Sequence, residues 1–410
     1  MTLMRRYLGV SLAMALLTAC GGGGGTTDTA NATNPSNATT SVNSTLNAVT
    51  PVPLPPRIIN TRGALLDGKP LKTHDISANR AAANGAAKQI PALAPVYATT
   101  LYRLTYQTVD AQGQLTKASG VLVLPQKPAG SKSPLLSFQH GTIFYDREAP
   151  SNDLSATTPH NILASLGYVV AAADYVGYGE SRGKAHPYLQ REPSAAAVVD
   201  FLTAAHQWLA EHRFPLNEQL FLTDYSEGGY VTLAAQQALE AAGVPITASV
   251  AGAGPYDLQY TLDQLLSSKA ILASTRSALG LRRPEVAAKY PGKFDEALVD
   301  TLLYFLIPKN SDIKFDKTFL LDWMADDYVT MRHNSVHDWQ ARAPTRLTHG
   351  RGDNTVPFGN STRALESMRL RGTPDLDLAE CYATPPDHSE CIRPYAQFLT
   401  DYFRNFARDL

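Results

Sequence analysis

The chain has 410 residues, 44% hydrophobic and 18% charged, so it can bury a large core and is neither a small stapled module nor disordered throughout. Lys and Arg number 36 against 37 Asp and Glu, a formal net charge of -1, which leaves no overall field to draw in a polyanion and argues against nucleic acid as a partner. Three cysteines are too few for a disulfide framework, so each must be read by its place.

Arg5 and Arg6 precede an apolar run from Tyr7 to Leu17 that is too short to span a bilayer, the layout of an export signal over residues 1–19. The run closes on Leu17-Thr18-Ala19-Cys20, which resembles the lipobox of bacterial lipoproteins. The resemblance implies cleavage before Cys20 and membrane attachment through lipid on its sulfur. Gly21 in the next position implies passage to the outer membrane or cell surface. An ordinary secretory signal that happens to end in Cys is the alternative. From 20 to 56 the composition collapses to Gly, Thr, Asn, Ser, Ala and Pro, a flexible tether that ends in the stiffer Pro51-Val52-Pro53-Leu54-Pro55-Pro56.

The remainder, 57–410, reads as one folded region. Tyr97 to Val109 alternates in strand fashion, Asp110 to Gly113 supplies turn residues and Leu115 to Leu124 is a second strand, so a hairpin opens it. Strands follow at Leu135–Phe138, Tyr168–Ala173, Gln219–Thr223, Thr247–Ala251, Thr345–Thr348 and Leu376–Cys381, with helices at Ser194–His212, Gly228–Ala242 and Asn360–Arg371 and a terminal helix. This alternation predicts an α/β fold, a mostly parallel central sheet with helices on both faces. It leaves about 254–339 as an interruption between two strands, with helical periodicity over Leu258–Leu279 and Phe294–Leu306. We read it as a helical cap over the carboxyl edge of the sheet; a peripheral decoration is the alternative, and its apolar runs equally suit a lid facing a membrane.

The segment Leu220-Phe221-Leu222-Thr223-Asp224-Tyr225-Ser226-Glu227-Gly228-Gly229 is a strand, a tight turn and the start of an Ala-rich helix, the setting in which an elbow exposes a serine. Gly228 suits the close approach such a turn requires, whereas Asp224 departs from G-x-S-x-G; an Asp can hold a strained turn by accepting nearby backbone N–H bonds. Ser226 could instead be a helix N-cap. A serine hydroxyl becomes a useful nucleophile only when a histidine removes its proton and a carboxylate fixes that histidine's tautomer. Candidates for both follow. Asp353 lies in the Gly-rich loop after the strand at Thr345–Thr348, and His388 in the loop before the terminal helix. Asp387 is a second candidate for the acid, and Arg351-Gly352-Asp353 also spells an adhesion tripeptide. Cys381 and Cys391 flank His388 at close range, and in an exported chain a disulfide between them would hold that loop; two free thiols are the alternative.

The blocks His140-Gly141-Thr142, Asp174-Tyr175-Val176-Gly177-Tyr178-Gly179-Glu180-Ser181, Tyr225-Ser226-Glu227-Gly228-Gly229, His349-Gly350-Arg351-Gly352-Asp353-Asn354-Thr355-Val356-Pro357 and His388 follow one another along the chain, with Ser226, Asp353 and His388 in the order Ser, Asp, His. From about Tyr97 to the C-terminus the chain resembles α/β-hydrolases, and within them the secreted lipase and esterase branch related to fungal secretory lipases. The resemblance implies hydrolysis of carboxylic esters, small-molecule or lipid, through an acyl-enzyme at Ser226, with the backbone N–H groups of Thr142 and Glu227 as the oxyanion hole, a helical insertion over the acyl pocket and no cofactor. We read Asp174 to Ser181 as structural. A peptidase on the same fold and a surface lipoprotein that binds apolar ligands without catalysis are the competing readings. His333 and His337, four apart, could share a helix face as metal ligands, but no third ligand accompanies them, and no metal is expected.

Overall fold

The computed structural model describes residues 61–87, 94–267, 299–300, 303 and 307–410. The expected export signal, Cys20, the tether and most of the helical runs expected at Leu258–Leu279 and Phe294–Leu306 lie outside the described residues.

In chain order the elements are β1 (Leu65–His74), α1 (Ile76–Ala87), β2 (Thr99–Val109), β3 (Leu115–Pro125), β4 (Ser133–Phe138), α2 (Pro159–Ser165), β5 (Val169–Ala173), β6 (Ala185–His186), α3 (Arg191–Glu211), β7 (Leu216–Tyr225), α4 (Glu227–Ala241) and β8 (Ala248–Gly252). After them come α5 (Leu258–Leu262), β9 (Lys314–Phe315), α6 (Thr318–Met324), α7 (Tyr328–Asn334), β10 (Thr345–Gly350), α8 (Gly359–Leu370), β11 (Leu376–Cys381) and α9 (Ile392–Arg404). Nine strands form one sheet in the order β1-β2-β3-β5-β4-β7-β8-β10-β11, and β6 pairs with β9 in a separate two-stranded sheet. The pairs from β1 through β5 are antiparallel, while β5, β4, β7, β8, β10 and β11 run parallel to one another.

One expectation is corrected: the folded region opens with β1, not with the β2–β3 hairpin, because Leu65 to His74 adds an edge strand beside β2. Its Gly68 and Pro70 and its mostly solvent-facing side chains suit an edge, and they dilute the alternation that marks a strand in sequence.

The central strands are apolar on both sides because both faces are covered. β4 and β5 are buried at every position. On one face α3, α4 and α8 pack Phe201, Trp208, Tyr230, Leu233 and Met368 against the sheet. On the other, α2 and α9 contribute Leu163, Tyr395, Leu399 and Phe403. The 395, 399, 403 spacing is the i, i+4, i+8 stripe of a helix with one buried side, and each such side chain adds about 1.5–3 kcal/mol of burial.

Parallel strands finish on the same edge of the sheet, so the loops after β4, β7, β10 and β11 converge there. The described part of the insertion between β8 and β10 reaches that edge as well. The N–H of Asp312 and the Ser311 hydroxyl bond to the Phe144 carbonyl beyond β4, and β9 joins β6 beyond β5.

Candidate active site

Ser226 lies between β7 and α4 with φ 61° and ψ -127°, a left-handed conformation that costs a non-glycine residue about 1–3 kcal/mol and persists only where its surroundings enforce it. Those surroundings are close-packed backbone. The Ser226 N–H donates to the Gly252 carbonyl at 2.8 Å, and the Tyr230 N–H to the Ser226 carbonyl at 3.2 Å. A methyl group at Gly228 would meet the Gln139 carbonyl oxygen at 2.2 Å, and one at Gly229 the Gly252 carbonyl oxygen at 2.4 Å. Asp224 fits because Gly228 has no side chain. Its Oδ2 and Cβ would lie 2.7 and 2.8 Å from a Cβ at 228. Burial raises the Asp224 carboxyl well above its ordinary pKa, and the Tyr225 N–H offsets only part of this. Ser226 occupies the N-cap position of α4, but its hydroxyl makes no capping bond.

That hydroxyl meets His388 instead, with 2.9 Å between Ser226 Oγ and His388 Nε2. His388 Nδ1 lies 2.6 Å from Asp353 Oδ2. The carboxylate accepts at Nδ1, so the proton sits there and Nε2 presents its lone pair to the serine hydroxyl. Asp353 is buried, which works against its charge. Bonds from His349 and His388 outweigh that and hold its carboxyl well below the usual carboxylate range. Its Oδ1 accepts the Thr355 and Val356 N–H groups, each at 2.8 Å. His349 Nε2 lies 3.1 Å from Oδ2 and 2.9 Å from the Val356 carbonyl, and its Nδ1 faces the Ser361 hydroxyl at 2.8 Å.

Asp387, the other candidate acid, uses Oδ1 to accept the Ser389 and Glu390 N–H groups of its own turn at 3.1 and 2.9 Å, while the acid bonded to the histidine is Asp353. The adhesion reading of Arg351-Gly352-Asp353 does not fit either, since Asp353 is buried and Arg351 pairs with Glu380 at 2.5 Å. Cys381 and Cys391 form a disulfide with 5.8 Å between Cα atoms, closing the loop that carries His388. The same loop rests on β10: a Cβ at Gly350 would touch the Pro386 carbonyl oxygen at 2.2 Å, and the Gly352 N–H donates to that oxygen at 3.1 Å.

Glu227 is the first residue of α4, where an N–H has no partner within the helix. Thr142 follows Gly141, whose Cβ position lies 3.2 Å from the Tyr225 carbonyl and 3.7 Å from Ser226 Cβ. The loop 139–143 is held by the segment from Asp174 to Ser181. His140 Nε2 meets the Asp174 carbonyl at 3.0 Å, the Tyr175 hydroxyl donates to the His140 carbonyl at 3.1 Å and the Tyr178 hydroxyl to the Ile143 carbonyl at 3.0 Å. Asp174 in turn accepts from Ser119 and Ser151 at 2.6 to 2.8 Å. Its place is thus to brace the neighbouring loop.

Two features of the site went unread in the sequence. His349, four residues before Asp353, is a second imidazole on the acid; its only signal was that spacing across a Gly-rich turn. The Glu227 side chain is paired with His186 at 2.7 Å, a contact across 41 residues with no local signature. His333 and His337 do not share a helix face: His333 lies in the last turn of α7 beside Glu192 at 3.2 Å, and His337 lies beyond the helix near the Tyr256 carbonyl. Among the described residues no group of three His, Cys, Asp or Glu is placed to hold a metal ion.

The model of the prolyl oligopeptidase family matches residues 155–268, a stretch that includes the elbow but neither Asp353 nor His388. No curated protein matches the chain. Among solved structures, a hydrolase candidate from Legionella pneumophila is 25% identical and superposes with a TM-score of 0.66 over 83% of this chain and 98% of that one. The rice cell wall degrading esterase LipA from Xanthomonas oryzae is 26% identical, with a TM-score of 0.59 over 84% of this chain and 98% of that one. Candida antarctica lipase A, 14% identical with a TM-score of 0.55 over 85% of this chain and 84% of that one, shares the fold. The fold is that of the α/β-hydrolases, and the similarities are to hydrolases.

Proposed function

We propose that this hydrolase is a serine esterase that cleaves carboxylic esters through an acyl-enzyme. The observation that carries the reading is the hydrogen-bonded line from Ser226 through His388 to Asp353. His388 Nε2 removes the hydroxyl proton as Ser226 Oγ attacks the ester carbonyl, and Asp353 stabilises the imidazolium that forms. The oxyanion is held by the Thr142 and Glu227 N–H groups. The tetrahedral adduct collapses, the alkoxide takes the proton from His388 and leaves, and the acyl group stays on Ser226. Water, deprotonated by the same histidine, then releases the acid. Ester rather than amide substrates are favoured by the likeness, along nearly the whole length of that chain, to an esterase. The prolyl oligopeptidase match favours a second reading, a peptidase, but covers only the middle of the chain.

Purified protein assayed with p-nitrophenyl esters from acetate to palmitate, beside a p-nitroanilide series, separates the two. The expected result is ester turnover that Ser226→Ala abolishes; turnover of anilides alone supports the peptidase. The lipobox-like Leu17-Thr18-Ala19-Cys20 supports export and lipid attachment at Cys20, with the enzyme held near the outer membrane or cell surface on its tether. Cys20→Ala is expected to move the protein out of the membrane fraction, and unchanged fractionation would refute the anchor.

A further inference from the structure

His186 and Tyr188 lie outside the Ser226–His388–Asp353 line, yet each grips one of the two residues whose N–H groups face the oxyanion in the reading above. His186 Nδ1 donates to the Val176 carbonyl at 2.9 Å, and its Nε2 lies 2.7 Å from Glu227 Oε1. Both side chains are 1% exposed, and Glu227 Oε2 has no hydrogen-bond partner among the described residues, so His186 anchors that carboxyl. Two residues on, the Tyr188 hydroxyl meets Thr142 Oγ1 at 3.1 Å. The tripeptide His186-Pro187-Tyr188 therefore spans the oxyanion hole from one donor residue to the other.

The same tripeptide is where the insertion docks. Ala185 and His186 pair with Lys314 and Phe315, and the Asp316 N–H donates to the His186 carbonyl at 2.8 Å. The Phe315 ring packs against His186 and Tyr188 with centroids 5.7 and 5.6 Å away, and Phe319 against Tyr188 at 5.4 Å. A buried carboxyl with one unpartnered oxygen is a costly way to fill a core, where an apolar side chain would pack without the desolvation penalty. Core packing alone does not account for it.

We propose that His186 and Tyr188 are positioning residues that set the separation of the Glu227 and Thr142 N–H groups and couple it to the seating of the insertion on β6. The proposal rests on the esterase reading. Oxyanion donors act only when aimed where negative charge develops, and loss of one costs about 10²–10³-fold in rate. A displaced donor loses a fraction of that, and the loss falls on the transition state rather than on the bound substrate.

The test is Tyr188→Phe in the full chain, which removes one hydroxyl and keeps the ring packing. We expect kcat to fall about 10-fold with KM within about twofold. The affinity for a trifluoromethyl ketone, which forms an oxyanion on Ser226, falls by the same factor, while a non-hydrolysable ether analogue binds as before. Thr142→Val combined with Tyr188→Phe is expected to be no worse than the poorer single variant, because both break one contact. Phe315→Ala, which loosens the insertion, is expected to show the same split between kcat and KM. An unchanged kcat in Tyr188→Phe, or equal loss of affinity for ketone and ether, overturns the proposal. Labelling of Ser226 by a fluorophosphonate keeps the two readings apart. A variant that labels fully but turns over slowly supports the brace, whereas a wild-type protein that neither labels nor hydrolyses any ester overturns the esterase reading and the brace with it.

Discussion

Gly228→Ala should disable the elbow through one atom. An alanine Cβ there would sit 2.2 Å from the Gln139 carbonyl oxygen, and side-chain Cβ atoms essentially never approach closer than 3.0 Å, so the backbones must part by at least 3.0 − 2.2 = 0.8 Å. Neither side yields easily. The Gln139 N–H donates to the Thr223 carbonyl at 3.1 Å, which fixes the loop to β7, and Ser226 is held to β8 through the Gly252 carbonyl. Overpacking of this kind costs about 1–3 kcal/mol in stability. Gln139 lies three residues before Thr142, so the strain also reaches the loop carrying the proposed oxyanion donor, and a misplacement near 1 Å at a reacting centre can cost about 10²-fold. We expect kcat for p-nitrophenyl butyrate to fall by about that factor while the protein stays folded by circular dichroism. Asp224 offers an internal control. Its side chain contributes the 2.7 and 2.8 Å contacts, so Asp224→Gly in the Gly228→Ala background relieves those and leaves the contact with Gln139. Activity should therefore stay low in the double variant. Full activity in Gly228→Ala, or its restoration by Asp224→Gly, would refute the argument that loop and elbow are locked backbone to backbone.

Asp353→Asn should lower kcat on the order of 10⁴-fold, because the amide cannot hold His388 in the tautomer that leaves Nε2 free. The folded pKa of Asp353 lies below its ordinary value, so the group contributes stability above about pH 4 that is lost as pH falls; urea midpoints of the variant should decline less steeply into acid than those of the parent. Asp224 carries the opposite sign: its folded pKa is raised, so its contribution is present below about pH 4 and lost as pH rises. Asp224→Asn should accordingly raise Tm at pH 8 and change it little at pH 4, and equal shifts at both would contradict the assignment. Replacing both Cys381 and Cys391 by Ser should cost about 3 kcal/mol or less in the chain-entropy account and lower kcat more than it raises KM, since the loop carrying His388 loses its clamp.

Much of this was legible in order of residues alone. The apolar runs at Leu135–Phe138 and Tyr168–Ala173 belong to central parallel strands because a sheet covered on both faces needs no alternation. The elbow was readable for a related reason: strand, turn and helix are contiguous, so Gly228 and Gly229 mark the close approach in the same few residues that create it. β1 was not readable, because a solvent-facing edge strand with Gly68 and Pro70 carries little pattern.

The choice of acid shows where sequence stops. Asp387 is adjacent to His388 in the chain and Asp353 is 35 residues away, yet Asp353 meets the imidazole because β10 and β11 are parallel neighbours whose loops leave the same edge. Asp387, next door, is bound up with the N–H groups of its own turn. His349 behind Asp353, His186 behind Glu227 and Tyr188 behind Thr142 are likewise products of strand order and packing. Periodicity and turn chemistry act over a few residues, so the sequence by itself determined the elements and the order of the chemical groups. Which of those groups touch depends on how the strands line up and how the insertion seats, and only the tertiary structure decided that.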